Sequence, residues 1–142
     1  MADSLRGAAA FPAINTSPLI FLTKGGFLHL LQTISTEIIV PQAVATEIQA
    51  YGETDITAQA LATTSWLVVK ATPSVPSIIE NWDLGLGESA VLTWGYVNPS
   101  TEVIIDDLAA RRCAVVLGIP VRGTLGIVFN AKQKGAIPLA RP

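Results

Sequence analysis

Short, continuous apolar runs alternate with longer segments of helical signal along the chain. Phe11–Asn15, Ile38–Val40, Trp66–Val69, Val103–Ile105 and Ile119–Val121 read as strands. Most of these runs are uninterrupted rather than alternating, as expected for strands buried on both faces of a parallel sheet. Between them the helix signals are clear. Ser17-Pro18 reads as an N-cap followed by proline at the first helical position, and Pro41 opens Gln42–Tyr51 the same way. Gly25-Gly26 separates the first helix from a second, Phe27–Ile34. Asp107 caps a helix that Gly118 ends. Thr124–Lys134 places Leu125, Val128 and Phe129 on one face, and Gly135 and Pro138 then act as stops. Ala71–Ser77, with Pro73 and Pro76, reads as a long loop. The predicted order is β-αα-β-αα-β-α-β-α-β-α. This is an α/β chain with a parallel sheet, right-handed crossovers and helices on both faces.

In such sheets, sites form beyond the carboxyl ends of the strands, where strand order reverses. The rule singles out Asn15 and Ser17 after the first strand and Asp106-Asp107 after the fourth. Composition bounds the rest. With 142 residues, 50% of them hydrophobic and 14% charged, the chain makes one domain with a real core and is too apolar to be disordered. No apolar run approaches ~18 residues, so no membrane span is expected. The lone Cys113 has no partner for an internal disulfide, which fits a reducing, cytoplasmic setting. Residues 1–10, MADSLRGAAA, show neither period and read as a flexible arm or cloning remnant, leaving 11–142 as the domain.

The net charge of −2 conceals an uneven distribution. Residues 1–107 hold all eleven acids against three bases, a net of −8, and from 108 onward there are six bases and no acid. Two readings account for this. Lysines such as Lys132 and Lys134 suit a helix C-terminus, or the basic stretch forms a rim that receives a polyanion.

Asn15, Glu47, Glu88 and the Asp106-Asp107 pair are polar where an apolar framework does not require it. Each has an ordinary alternative. Asp107 serves as an N-cap and can pair with Arg111, Glu88 suits a first helical turn, and Glu47 suits a solvent-facing helix position. Asp106 is harder to dismiss, because it continues a buried strand and a second acid follows it. If these side chains converge they require a cation, since two carboxylates ~4 Å apart repel by about 4 kcal/mol at an effective dielectric of ~20. Oxygen ligands alone favour Mg²⁺ or Mn²⁺ over zinc. His29 reads as a helix-face residue and Cys113 as core. No Gly-x-Ser-x-Gly elbow, phosphate-binding glycine loop or dinucleotide fingerprint is present.

Five blocks in order resemble PIN-domain proteins, most of all the small prokaryotic branch related to VapC-type toxins. They are Ala-Ile-Asn-Thr-Ser-Pro-Leu-Ile, Val-Pro-Gln-Ala-Val-Ala-Thr-Glu-Ile, Leu-Gly-Leu-Gly-Glu-Ser-Ala, Ile-Ile-Asp-Asp-Leu-Ala-Ala-Arg, and Gly-Thr-Leu-Gly-Ile-Val with Ala-Lys-Gln-Lys-Gly. The resemblance implies a three-layer fold around a five-stranded parallel sheet and a metal-dependent endoribonuclease with a cluster of acids in a cleft. By position, Asn15 falls where many members have the first aspartate, and Ser17 where a hydroxyl commonly follows. Glu47, Glu88 and Asp106 with Asp107 match the later acids. The departure at Asn15 removes one negative charge from the expected set.

The leading expectation is RNA phosphodiester hydrolysis by metal-activated water. Mg²⁺ or Mn²⁺ would be held by Glu88, Asp106, Glu47, Asp107 and Asn15, with Ser17, Arg111, Arg112 and Arg122 orienting substrate or neutralising phosphates. No aromatic platform is evident, although Trp82 lies ahead of Glu88 and can stack a base or pack in the core. The family also implies an antitoxin partner and a homodimer. An alternative keeps the fold and drops catalysis: a PIN-like module that binds RNA or protein. A third reading, a phosphoacceptor built on Asp106-Asp107, places the acidic pair after the wrong strand.

Overall fold

The apolar runs become strands, buried in the middle of the sheet and partly exposed at its two edges. A computed structural model describes residues 10–135; nearly all of the N-terminal arm, and the Pro138 stop, lie outside them. The sheet has five parallel strands, β1 (Ala13–Ile14), β2 (Ile38–Pro41), β3 (Leu67–Lys70), β4 (Val103–Ile104) and β5 (Val121–Arg122), in the order β3-β2-β1-β4-β5. β1 therefore lies between β2 and β4, with Ala13 opposite both Ile39 and Val103 and Ile14 opposite Ile104. The chain winds outward from β1 through β2 to β3, then returns to the other side of β1. Strand order reverses there, and a crevice opens at the carboxyl ends of β1 and β4.

Around the sheet stand α1 (Thr16–Gly25), a 3-10 helix (Leu28–Thr33), α2 (Gln42–Gln49), α3 (Ile56–Thr63), the short α4 (Ser77–Glu80), α5 (Leu86–Val97), α6 (Leu108–Val116) and α7 (Thr124–Gln133). The core is one cluster that includes Ile14, Leu19, Leu22, Ile48, Leu92, Ile104, Ile105 and Ile127, all nearly or fully inaccessible. Burying each such side chain stabilises the fold by about 1.5–3 kcal/mol. α5 approaches the sheet closely at Gly95, where a β-carbon would lie 2.8 Å from Val103 Cγ1 and 2.7 Å from Ile119 Cγ2. Cys113 is fully buried as expected, and burial pushes its thiol pKa up. No helix among the described residues is long and apolar enough to cross a membrane.

Several local expectations are corrected. Asn15, not Ser17, is the N-cap of α1, with extended backbone at φ −85° and ψ 170°. Pro18 thus falls third in the helix, still in the first turn, where its missing N–H is not needed. The segment after Gly26 is a 3-10 helix rather than an α-helix; its tighter turn places Leu28 and Leu31 on one side. β5 runs Val121–Arg122 instead of Ile119–Val121. Pro120 has no N–H to donate and only accepts, from Val103 N, at 2.9 Å. The loop expected at Ala71–Ser77 ends in the short helix α4.

Candidate active site

The first strand delivers Asn15 to the crevice as the N-cap of α1, but its side chain makes no capping hydrogen bond. It is almost wholly buried and turns across the crevice. Nδ2 donates to Glu88 Oε2 at 2.9 Å, and Oδ1 has no hydrogen-bond partner. The orientation follows from chemistry, because only the amide nitrogen can donate to a carboxylate. Glu88 comes from the first turn of α5, which follows the Gly85 N-cap. From α2, Glu47 reaches over the same space, and Thr16 Oγ1 donates to its Oε2 at 3.0 Å.

Gly87 forms the floor between these groups. A β-carbon there would sit 2.6 Å from Glu47 Oε1 and 3.0 Å from Asn15 Oδ1. Two acceptors, one of them buried and unsatisfied, thus face one small cradle with no donor between them. An unpaired buried acceptor costs on the order of 1–3 kcal/mol, which a cation or a donor offsets. The donors are hard oxygens only, as Mg²⁺ or Mn²⁺ prefers. Among the described residues no three Asp, Glu, His or Cys side chains group closely enough to hold a metal. A cation at this cradle therefore needs the Asn15 amide oxygen as well as Glu47 and Glu88, and these residues fit one of reduced site charge.

Asp106 stands on the β4 side of the crevice, one residue beyond the buried Ile105. Oδ1 accepts from the Thr124 backbone N–H at 2.8 Å and Oδ2 from the Thr124 hydroxyl at 2.5 Å. The first turn of α7 therefore fixes the carboxylate. Arg111 lies beside it, with Nη1 donating to Ile105 O at 3.3 Å. Gly123 admits both groups, for a β-carbon there would meet Arg111 Nη1 and lie 2.8 Å from Asp106 Oδ1. Together with Arg122 these residues line a cleft of about 650 Å³.

The other expected site residues are placed differently. Asp107 is exposed and caps α6, its Oδ2 accepting from Ala110 N at 2.9 Å. It makes no ion pair with Arg111, and the ion pair seen among the described residues is Arg122 Nε to Glu102 Oε2 at 3.1 Å. Ser17 and Arg112 are exposed, as is His29 on the 3-10 helix. Trp82 is half-buried against the core. Thr16 and Thr124 escape the sequence reading. For Thr124, a Gly-Thr step opening the helix after the last strand is the only signal.

The chain matches the family model DUF3368, described as a PIN domain, over residues 12–142, and it belongs to that family. It thus has a nuclease-type fold, of a class that generally depends on divalent metal. No curated protein matches it.

Proposed function

We propose that the protein is a Mg²⁺- or Mn²⁺-dependent endoribonuclease that hydrolyses RNA phosphodiesters, a toxin-like member of its family. The observation that carries this reading is the cradle over Gly87, where the unsatisfied Asn15 Oδ1 and Glu47 Oε1 meet beside Glu88 at the strand-order reversal. Glu47, Glu88 and Asn15 Oδ1 are the groups to hold the cation. When bound, the metal supplies activation of water and neutralisation of phosphate charge. Asp106, immobilised by Thr124, completes the acidic wall and orients water or phosphate. Arg111 and Arg122 in the cleft, and the exposed Arg112 and Ser17, are the groups to hold flanking phosphates. Asp107 caps its helix and stands outside the ligand set. Purified protein is expected to cleave RNA with Mn²⁺, and Glu88→Gln or Asp106→Asn to lower the rate on the order of 100-fold. Metal-dependent cleavage left unchanged by both substitutions overturns the site.

One observation favours a second reading, a weakened PIN-like module that binds RNA or protein. Glu88 already receives a hydrogen bond from a neutral amide, where an aspartate would bring a further charge and need a cation. Asn15→Asp discriminates between them. In a weakened nuclease it raises Mn²⁺ affinity and cleavage, and lowers Tm without metal while Mn²⁺ restores it. Detectable turnover by the wild type removes the second reading. An antitoxin-type protein and a second copy of the chain are the partners this function calls for. What supports self-association is the outward apolar face of α6, with Leu108, Val115 and Val116 exposed.

A further inference from the structure

Asp106 differs from the acids of the cradle in having its charge answered by the protein itself. Both of its oxygens accept from Thr124, at the start of α7, where the N-cap Gly123 has no side chain of its own to close the helix. A carboxylate there also meets the positive end of the helix dipole. Arg111 shares the gap over Gly123 with it, for a β-carbon in that gap would meet Arg111 Nη1 and lie 2.8 Å from Asp106 Oδ1. The guanidinium is anchored on the residue before Asp106, through Ile105 O at 3.3 Å, and it does not lose its proton. A permanent cation thus stands beside a fixed anion.

The charges of the site fall into two sets. At the cradle Asn15 is neutral, and the carboxylates of Glu47 and Glu88 together match one divalent ion. Among the described residues that line the cleft, Asp106 is the single acid, beside Arg111 and Arg122. Arg122 is paired with Glu102, so the charge left for Asp106 is that of Arg111. One carboxylate and one guanidinium leave no net charge for a metal to neutralise. Oxygen ligands are scarce there as well. The Thr124 hydroxyl is already turned to Asp106, and Asp107 is engaged in capping α6. A hard divalent ion takes about six oxygens and would face Arg111 at close range.

We infer that Arg111 is the built-in counter-charge of Asp106, in the place a second metal ion would take, so that the protein holds a single Mg²⁺ or Mn²⁺, over Gly87. The inference rests on the metal reading of the cradle and fixes how many ions that site takes. A guanidinium neutralises charge without lowering the pKa of a water, so water activation falls to the cradle alone.

Bound Mn²⁺ is counted on the full chain without RNA, from the loss of the free-ion electron paramagnetic resonance signal during titration. The wild type is expected to take one ion per chain. Asp106→Asn is expected to keep that ion within about twofold in affinity, and Glu47→Gln to weaken it at least about tenfold. Arg111→Gln is expected to gain a second, weak Mn²⁺ that the double variant with Asp106→Asn loses, whereas Arg111→Lys keeps the charge and stays at one. Two ions on the wild type overturn the inference. So does an affinity that falls as far in Asp106→Asn as in Glu47→Gln, or a second ion gained equally by Arg111→Lys and Arg111→Gln. The wild-type and Asp106→Asn arms decide the matter even where an Arg111 variant fails to fold. Two wild-type ions, one of them lost in Asp106→Asn, discard the counter-charge and keep the metal-dependent nuclease. A wild type that takes no Mn²⁺ discards the cradle instead. Arg111 is then judged by Arg111→Gln, which gains an Asp106-dependent ion or overturns the inference.

Discussion

Asn15 brings an amide donor into the crevice and directs it at Glu88. Gly87 then becomes the most informative position for substitution. In Gly87→Ala the new methyl overlaps the Glu47 carboxylate, the far end of an exposed and flexible side chain, and presses on Asn15 Oδ1. Alanine also favours a helix by up to about 1 kcal/mol over glycine. The expected outcome is a Tm equal to or above that of the wild type, with weaker Mn²⁺ binding and slower cleavage. Calorimetric titration with Mn²⁺ beside a thermal melt reads both, and undiminished metal affinity would move the cation elsewhere. Asn15, Glu88 and Asp106 were legible in the sequence because each directly follows a strand or opens a helix. Thr16 and Thr124 were not, since their partners lie 31 and 18 residues away and a hydroxyl beside a helix start is commonplace.

Secondary structure followed the apolar pattern where side chains decide it and departed from it where the backbone does. Pro120 shifted the fifth strand and the early N-cap at Asn15 lengthened the first helix, both through single N–H groups that hydrophobicity does not register. Asp107 belongs to this scale, because its carboxylate closes the open start of α6 through Ala110 N. Asp107→Ala is expected to destabilise the protein by about 1 kcal/mol, seen as a lower urea midpoint, and Asp107→Ser to recover most of it. Cleavage per folded molecule should stay near wild type in both. A serine variant that regains stability but loses metal-dependent activity would return Asp107 to the metal ligands.

At the scale of the whole molecule, the late bases are drawn back onto some of the early acids, Arg122 onto Glu102 and Arg111 beside Asp106. Glu47 stands over Gly87 with Glu88 bonded to Asn15 beside it, whereas Arg111 and Arg122 line the cleft that Asp106 also lines. The class of sheet was legible from strands alternating with helices. The neighbours of β1 were not, because pairing a strand with one made much later leaves no local trace. That pairing has a consequence during synthesis. β1 emerges from the ribosome early, yet one of its edges stays open until β4 has been translated, since Ala13 and Ile14 pair with Val103 and Ile104. At about 5–20 residues per second the delay is on the order of 5–20 s. Until then the Ile104 carbonyl that accepts from the Asn15 backbone N–H is absent, so the candidate site is incomplete on the nascent chain. An apolar strand edge left unpaired for that time is also what a chaperone would hold, which makes early handling of the chain, rather than its final stability, the vulnerable step.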